Sequence, residues 1–336
     1  MVGDSLGDLL GGPRHTDRLD QLLAKRCVLA IMGPTASGKS ALSMAVAEQL
    51  PVELVSVDSA LIYQGMDIGT AKPTQSERTQ VAHHLIDILP PAQPYSVSEF
   101  LEDVSQAVEH IWANGRLPVL VGGTMMYFHA MQNGLADLPQ ADPVLRERLY
   151  QAWQKDPHAL HARLMVVDPV VAARIHANDA QRLVRALEVY ELTGTPLSVH
   201  QQTAQNHASE QWQLIKVGLI PGDRKRLHTV IERRFEQMLD AGFVSEAQAL
   251  FAQPGLHADL PSIRSVGYRQ AWSYWHGEID YDTFVAKAKT ATRQLAKRQL
   301  TWLRKEEDML KLDPFEQALP SQVSRTISWL EKRCLS

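Results

Sequence analysis

Short apolar runs alternate with segments of helical period through the first third of the chain. Val28, Leu29, Ala30 and Ile31 form an unbroken apolar run of strand length. Ala41 to Leu50 follows, with Leu42, Val46 and Leu50 on one side, and reads as a helix. A second strand is expected over Val52-Glu53-Leu54-Val55-Ser56-Val57, ending at Asp58. A helix is expected from about Val97 to Asn114. Ser96 and Glu99 have the spacing of a capping box, and Phe100, Leu101, Val104, Val108 and Ile111 repeat at helical spacing. Gly115 supplies the stop signal. Pro118 to Gly123 reads as a third buried strand. Strand, helix, strand, helix, strand implies a parallel sheet with helices on its faces.

Strand signals vanish from about Pro139 to Val199. Leu145, Leu149, Trp153, Leu160, Leu164, Leu183, Leu187 and Tyr190 keep a helical pattern, punctuated by Pro139, Pro143, Pro157, Pro169 and Pro196. This predicts an all-helical insertion. Trp212 to Ile220 returns to strand, and after Asp223 the pattern is again mostly helical. The expected organisation is an N-terminal extension (1–25) and an α/β core (26–138). A helical insertion (139–200), core completion with basic helices (201–310) and a C-terminal tail (311–336) follow.

Composition narrows the class. The chain has 336 residues, 45% of them hydrophobic, enough for a substantial core. A net charge of −4 excludes a globally basic nucleic-acid binder, so any such surface is a local patch. Cys27 and Cys334 lie near opposite ends, without metal-ligand spacing, and suggest no disulfide framework, as in a reducing cytoplasm. The opening residues have no signal-peptide pattern, and no run approaches the ~18 apolar residues of a membrane span. Residues up to about Lys25 are expected to be poorly ordered.

The chemistry centres on Gly33-Pro34-Thr35-Ala36-Ser37-Gly38-Lys39-Ser40, which matches G-x-x-x-x-G-K-[ST] between a strand and a helix. Glycines let the backbone approach phosphates, and the helix N-terminus supplies positive potential. Lys39 adds a point charge, and the Ser40 hydroxyl is a Mg²⁺ ligand. Asp58 ends the second strand, on the side of the sheet where ligands bind, and can accept a proton or orient a nucleophile. Asp67 is a less well placed competitor. Thr124 follows Gly122-Gly123 at the end of the third strand. It either donates its hydroxyl to a leaving-group oxygen or caps the helix from Met125.

Thr283 to Lys305 carries Lys287, Lys289, Arg293, Lys297, Arg298, Arg304 and Lys305 and no acidic residue. On a helix, Phe284, Ala288, Ala291, Leu295 and Trp302 share one face, and Lys289, Arg293, Lys297 and Arg304 lie opposite. That is an amphipathic helix with a basic stripe suited to a polyanion, and Trp302 is expected in the core. Arg264-Ser265-Val266-Gly267-Tyr268-Arg269 combines cations with an aromatic, a mix suited to backbone contact and base stacking. Arg182 and Arg185 either pair with Glu188 or contact phosphate, and Arg224 ends a strand near the crevice. His83-His84 has no third ligand and reads as structural.

Together these residues resemble the tRNA dimethylallyltransferase (tRNA isopentenyltransferase) family. The likeness rests on Gly33 to Ser40, Asp58 to Pro73, Gly122 to Tyr127, Gln181 to Glu188, Arg264 to Gln270 and Thr292 to Arg304. It covers about Cys27 to Asp308. The resemblance implies a P-loop kinase-like parallel sheet with a helical insertion and a helical C-terminal region. It also implies transfer of a dimethylallyl group from dimethylallyl diphosphate to N6 of adenosine 37 in the anticodon stem-loop of tRNA. By the same resemblance Asp58 is the general base and Thr124 contacts the leaving oxygen. Gly33, Thr35, Ala36, Ser37, Gly38, Lys39, Ser40 and Arg224 hold the diphosphate, with Mg²⁺ on Ser40. Asp58, Ser59, Ala60, Leu61 and Thr124 are expected to bind tRNA. Arg146, Gln181, Arg182 and Arg185 match family tRNA contacts, as do Arg264, Gly267, Tyr268 and Arg269, and Arg293, Lys297, Arg298 and Arg304. A cytoplasmic monomer without membrane contact is expected.

Two positions depart from the family pattern. Gln64 stands where a basic residue is frequent, and Ser265 where cysteine is frequent. Competing readings are an adenylate isopentenyltransferase acting on AMP, an ATP-dependent small-molecule kinase, and an RNA-binding protein with a vestigial loop.

Overall fold

The computed structural model describes residues 15–202 and 212–335. Six strands form one sheet in the order β3-β2-β4-β1-β5-β6. They are β1 (Cys27–Met32), β2 (Val52–Val57), β3 (His83–His84), β4 (Leu117–Gly122), β5 (Gln213–Leu219) and β6 (Met309–Leu312). Every pairing is parallel. β1 is central and fully buried, as its unbroken apolar run requires. Chain leaving β1 builds the sheet on one side through β2 and β4, then crosses to β5 on the other. The carboxyl ends of β1 and β4 thus meet at a switch point, where such sheets bind ligands.

The first unit holds α1 (His15–Ala24), α2 (Lys39–Ala47), α3 (Gln75–Gln80) and α4 (Val97–Ala113), and α5 (Met125–Asn133) begins in it and ends in the second. In the second unit, residues 130–207, the regular elements of the described residues are all helices. It holds α6 (Pro143–Lys155), α7 (Pro157–Val167), α8 (Pro169–Ala172), α9 (Ala180–Thr193) and α10 (Leu197–Gln202). The chain then completes the first unit with β5 and α11 (Arg224–Asp240), α12 (Phe243–Phe251), α13 (Tyr268–Trp275), α14 (Tyr281–Leu303) and α15 (Leu319–Leu335). The second unit has its own core, built from Leu149, Leu160, Leu164, Leu183 and Leu187.

Local signals account for the helix ends. Ser96 and Glu99 do form the capping box of α4, and Gly115 follows its end at φ 67°. Asp142, Asp156 and Asp168 cap α6, α7 and α8, each before a proline in the first turn.

Both chain ends differ from expectation. Residues 1–14 lie outside the described residues, but His15–Ala24 is a helix, not a disordered extension: Leu22 is buried in the main core and Arg18 pairs with Glu331 at 3.1 Å. The expected C-terminal tail is also built in. β6 pairs with β5, and α15 places Val323, Leu330 and Cys334 in the same core. Cys334 is disulfide-bonded to Cys27 across a sequence separation of 307, against the expectation of two unpaired thiols. Spacing could not reveal that pair, because the fold alone brings the ends together.

His83 Nδ1 lies 2.7 Å from Val81 O. His84 pairs with Glu53 at 2.7 Å, and among the described residues no cluster of three or more His, Cys, Asp or Glu could hold a metal. Among the described residues no helix is long and apolar enough to cross a membrane.

Candidate active site

The turn after β1 is held open for an anion. Gly33 donates its N–H to Gly122 O at 3.3 Å, and a Cβ on Gly33 would fall 2.5 Å from Ser37 Oγ. Ala36 and Gly38 are both left-handed, at φ 62° and 87°. Such alternation turns successive N–H groups into a concave nest. α2 begins at Lys39, and its N-cap Gly38 has no side chain to satisfy the first-turn N–H groups. Among the described residues the buried Ser37 hydroxyl has no hydrogen-bond partner. These are the marks of a loop whose donors await a ligand.

That loop forms one wall of a cavity of about 440 Å³. Thr35 to Ser40, Asp58, Ala60 and Leu61 line it, with Gly69 to Pro73 and Glu77. Arg234, Phe235 and Met238 of α11, Leu295 and Gln299 of α14, and Gly267 complete it. Lys39 donates to Pro34 O at 2.8 Å. Burial pushes its ammonium down to about 8; the Asp58 carboxylate opposes that shift, and the Arg234 guanidinium adds to it. Burial also lowers Arg234, again opposed by Asp58. Lys39, Lys72 and Arg234 line the cavity with Asp58 and Glu77, so cations exceed carboxylates by one, a balance that suits an anion.

Asp58 accepts from Ala60 N–H at 2.9 Å through Oδ1. Thr124 Oγ1 accepts from Ser59 N–H at 3.1 Å, which leaves its own O–H proton to donate. Gly122 must be glycine: a Cβ there would lie 2.0 Å from Val57 O. Asp67, the competitor for Asp58, is instead paired with the buried Lys72 at 2.6 Å. Glu246 fixes this stretch, accepting from the N–H groups of Asp67, Ile68 and Gly69 at 2.9, 2.7 and 3.0 Å.

Several expected contacts fall elsewhere. Arg224 is an exposed residue opening α11 and does not line the cavity; Arg234, ten positions on, does. Sequence reading missed Arg234, although a signal existed. It shares the helical face of Leu227, Ile231 and Phe235, all buried. Tyr268 is no stacking platform: it is fully buried, and its hydroxyl donates to Glu246 at 2.6 Å. Trp302 is not core but 41% exposed, its ring edge-on to His129 at 5.5 Å.

The basic stripe of α14 divides in two. Lys289 pairs with Glu236 at 2.7 Å and Arg293 with Glu232 at 2.8 Å, both acids on α11. Lys297, Arg298 and Arg304 are exposed and form no ion pair among the described residues. Arg264 and Arg269 are exposed beside the cavity-lining Gly267. Within the second unit, Arg146 and Arg185 converge on the buried Glu188 at 2.9 and 2.6 Å, while exposed Arg182 pairs with Asp179 at 2.7 Å. Gln181 is exposed at the start of the same helix.

A family model described as IPP transferase matches residues 61–306, and one described as isopentenyl transferase matches residues 26–88. The chain is 58% identical over 310 residues to a protein named tRNA dimethylallyltransferase from Hydrogenovibrio crunogenus, covering 92% of this chain and 96% of that one. Among solved structures it is similar to a tRNA isopentenylpyrophosphate transferase from Bacillus halodurans: 34% identity, TM-score 0.67, with 92% of this chain and 98% of that one covered. It is similar also to a tRNA delta(2)-isopentenylpyrophosphate transferase from Staphylococcus epidermidis: 31% identity, TM-score 0.66, with 92% and 100% covered.

Proposed function

We infer the reaction from the family: the chain belongs to the IPP transferases, has their P-loop kinase-like fold, and is a prenyltransferase that moves a dimethylallyl group to tRNA. The finer reading is that the donor is dimethylallyl diphosphate and the acceptor is N6 of adenosine 37. One observation carries it: Lys39, Arg234 and the carboxylate of Asp58 line one cavity at the phosphate loop.

In this reading the diphosphate lies in the nest of Thr35 to Ser40, with Lys39 and Arg234 against its oxygens. The N6 lone pair attacks the allylic carbon as the carbon–oxygen bond breaks. Charge builds on the departing diphosphate, so cations and N–H donors aimed there act on the transition state. The Thr124 hydroxyl donates to the leaving oxygen, and Asp58 takes the proton from N6. The target base leaves the anticodon-loop stack to reach the cavity beside Ala60 and Leu61.

A magnesium ion fits the residues present. Ser40 offers one hydroxyl on the cavity wall, at the start of the loop helix. Mg²⁺ favours such sites, where substrate oxygens and waters complete its shell. When bound it neutralises diphosphate charge. On the tRNA side, Lys297, Arg298 and Arg304 present the exposed cations of α14, and Arg264 and Arg269 flank the cavity.

The test supplies labelled dimethylallyl diphosphate with unmodified tRNA and, separately, with AMP. Label is expected in tRNA, on N6 of adenosine 37. Equal transfer to AMP would overturn the tRNA reading, and phosphorylation of either acceptor from ATP would overturn the prenyl reading. Asp58→Asn should lower the single-turnover rate by roughly 10²–10⁴-fold with the fold retained. A normal rate with a raised KM for diphosphate would make Asp58 a phosphate-site residue only.

A further inference from the structure

We propose that Gln299 is a positioning residue that sets the phosphate loop at a fixed distance from the Thr124 turn. The inference rests on the reaction given above. Gln299 is 9% exposed, near the C-terminal end of α14. Its Oε1 accepts from Thr35 N–H at 2.9 Å, and its Nε2 donates to Gly123 O at 2.9 Å. Both partners are backbone groups. They belong to the two turns that follow adjacent parallel strands, β1 and β4. One planar amide thus joins the loop that holds the diphosphate to the residue preceding Thr124.

Chemistry restricts what can fill this place. The bridge needs one donor and one acceptor on a single short group, which among side chains of this reach means an amide. Its orientation is settled by the partners, since Gly123 offers only a carbonyl and Thr35 only an N–H. Gly123 must stay bare as well: a Cβ there would lie 2.4 Å from Nε2. α14 delivers the amide rigidly. Ala296 and Leu300 pack with Leu227 and Ile231 of α11, and the Lys289–Glu236 and Arg293–Glu232 pairs tie the same two helices.

Gln299 performs no chemistry in this scheme. It holds Thr35 and Gly123 so that the Thr124 hydroxyl meets the leaving oxygen of a diphosphate seated in the loop. Misplacement of reacting groups by about 1 Å can cost about 10²-fold in rate. A bridge that serves stability alone would leave the rate per folded molecule unchanged.

Two variants separate these roles. Gln299→Met keeps the length and loses both hydrogen bonds. Gln299→Glu keeps the acceptor for Thr35 and loses the donor to Gly123. Single-turnover rate, KM for dimethylallyl diphosphate, tRNA Kd and Tm are measured on each, alongside the unmutated chain. The expected result is a rate lowered by about 10- to 100-fold in Gln299→Met. Gln299→Glu should also fall at least several-fold, with tRNA Kd within about twofold of the unmutated chain in both, because the exposed cations of α14 are untouched. Rates within twofold of the unmutated chain in a folded variant would overturn the proposal, whatever the Tm. Failure of both variants to fold would overturn it too, making the bridge a stability device. An unmutated chain that prenylates no tRNA would instead sink the reaction itself.

Discussion

Lys39 gives the sharpest test of the cavity's electrostatics. Its ammonium sits at about 8 in the free protein, below the ordinary 10.5, because burial outweighs the attraction of Asp58. A bound diphosphate supplies the missing counter-charge. Hydrogen bonds to charged groups contribute about 1.5–3 kcal/mol, so charged Lys39 should bind diphosphate roughly 10- to 100-fold more tightly than neutral Lys39. Linkage then requires its pKa to rise by the same one to two decades, to about 9–10 in the complex. The sign follows directly. Affinity is full below about pH 8 and declines as pH rises through 8 to 10, and binding in that window takes up protons. With pKa values of about 8 free and 9.5 bound, uptake near pH 8.5 is about 0.65 proton per site, and near pH 7 only about 0.1. Calorimetry of dimethylallyl diphosphate binding in buffers of different ionisation enthalpy measures this number. Lys39→Met should bind more weakly with a flat profile and no uptake. An unmutated chain with constant Kd and no proton uptake between about pH 7.5 and 9.5 would refute the assignment of Lys39 to the diphosphate.

Other expectations follow from the same geometry. Arg234→Met should cut turnover by about 10²-fold, as for loss of one preorganised donor, whereas Arg224→Met should stay within about twofold; steady-state rates on tRNA decide between them. Reversing Lys297 and Arg304 to Glu should weaken tRNA binding and reduce the log–log salt slope by about 0.7–0.9 per lost contact. Reversing Lys289 and Arg293 tests the opposite case, since those cations already pair with Glu236 and Glu232; a larger slope change there would show that those pairs open on binding. Cys334→Ala should lower stability by about 2–4 kcal/mol, read from denaturant unfolding, and the unmutated chain under reductant should match it.

Most of the frame was legible because its signals are local. The apolar runs of β1, β2, β4 and β5 are long enough to be read as strands, and the capping box of α4 marks its own start. β3 and β6 were not legible. They have two and four residues, and they become strands only by pairing with β2 and β5. Lys39, Ser40 and Asp58 were legible because a motif and a strand end placed them. Arg234 and Gln299 were not placed there. Each is a polar residue on an otherwise apolar helix face, and only tertiary packing shows what that face meets. Trp302 was misplaced for a related reason. Periodicity assigns a helix face, but not whether a neighbour covers its last turn.

The sheet order has a consequence for the protein's synthesis. Among the described residues β1 is the first strand to leave the ribosome, yet its two neighbours are β4 and β5, and the core it enters is completed by α15, the last helix. Cys27 waits for a partner 307 residues downstream. At roughly 5–20 residues per second that is about 15–60 s during which the most apolar strand lacks its final cover. The nascent chain can fold the second unit meanwhile, since that unit is contiguous and carries its own core. The phosphate loop, encoded first, is among the last parts to acquire its full set of walls. Arrested chains truncated before α14 should therefore hold a protease-resistant helical unit and no diphosphate affinity.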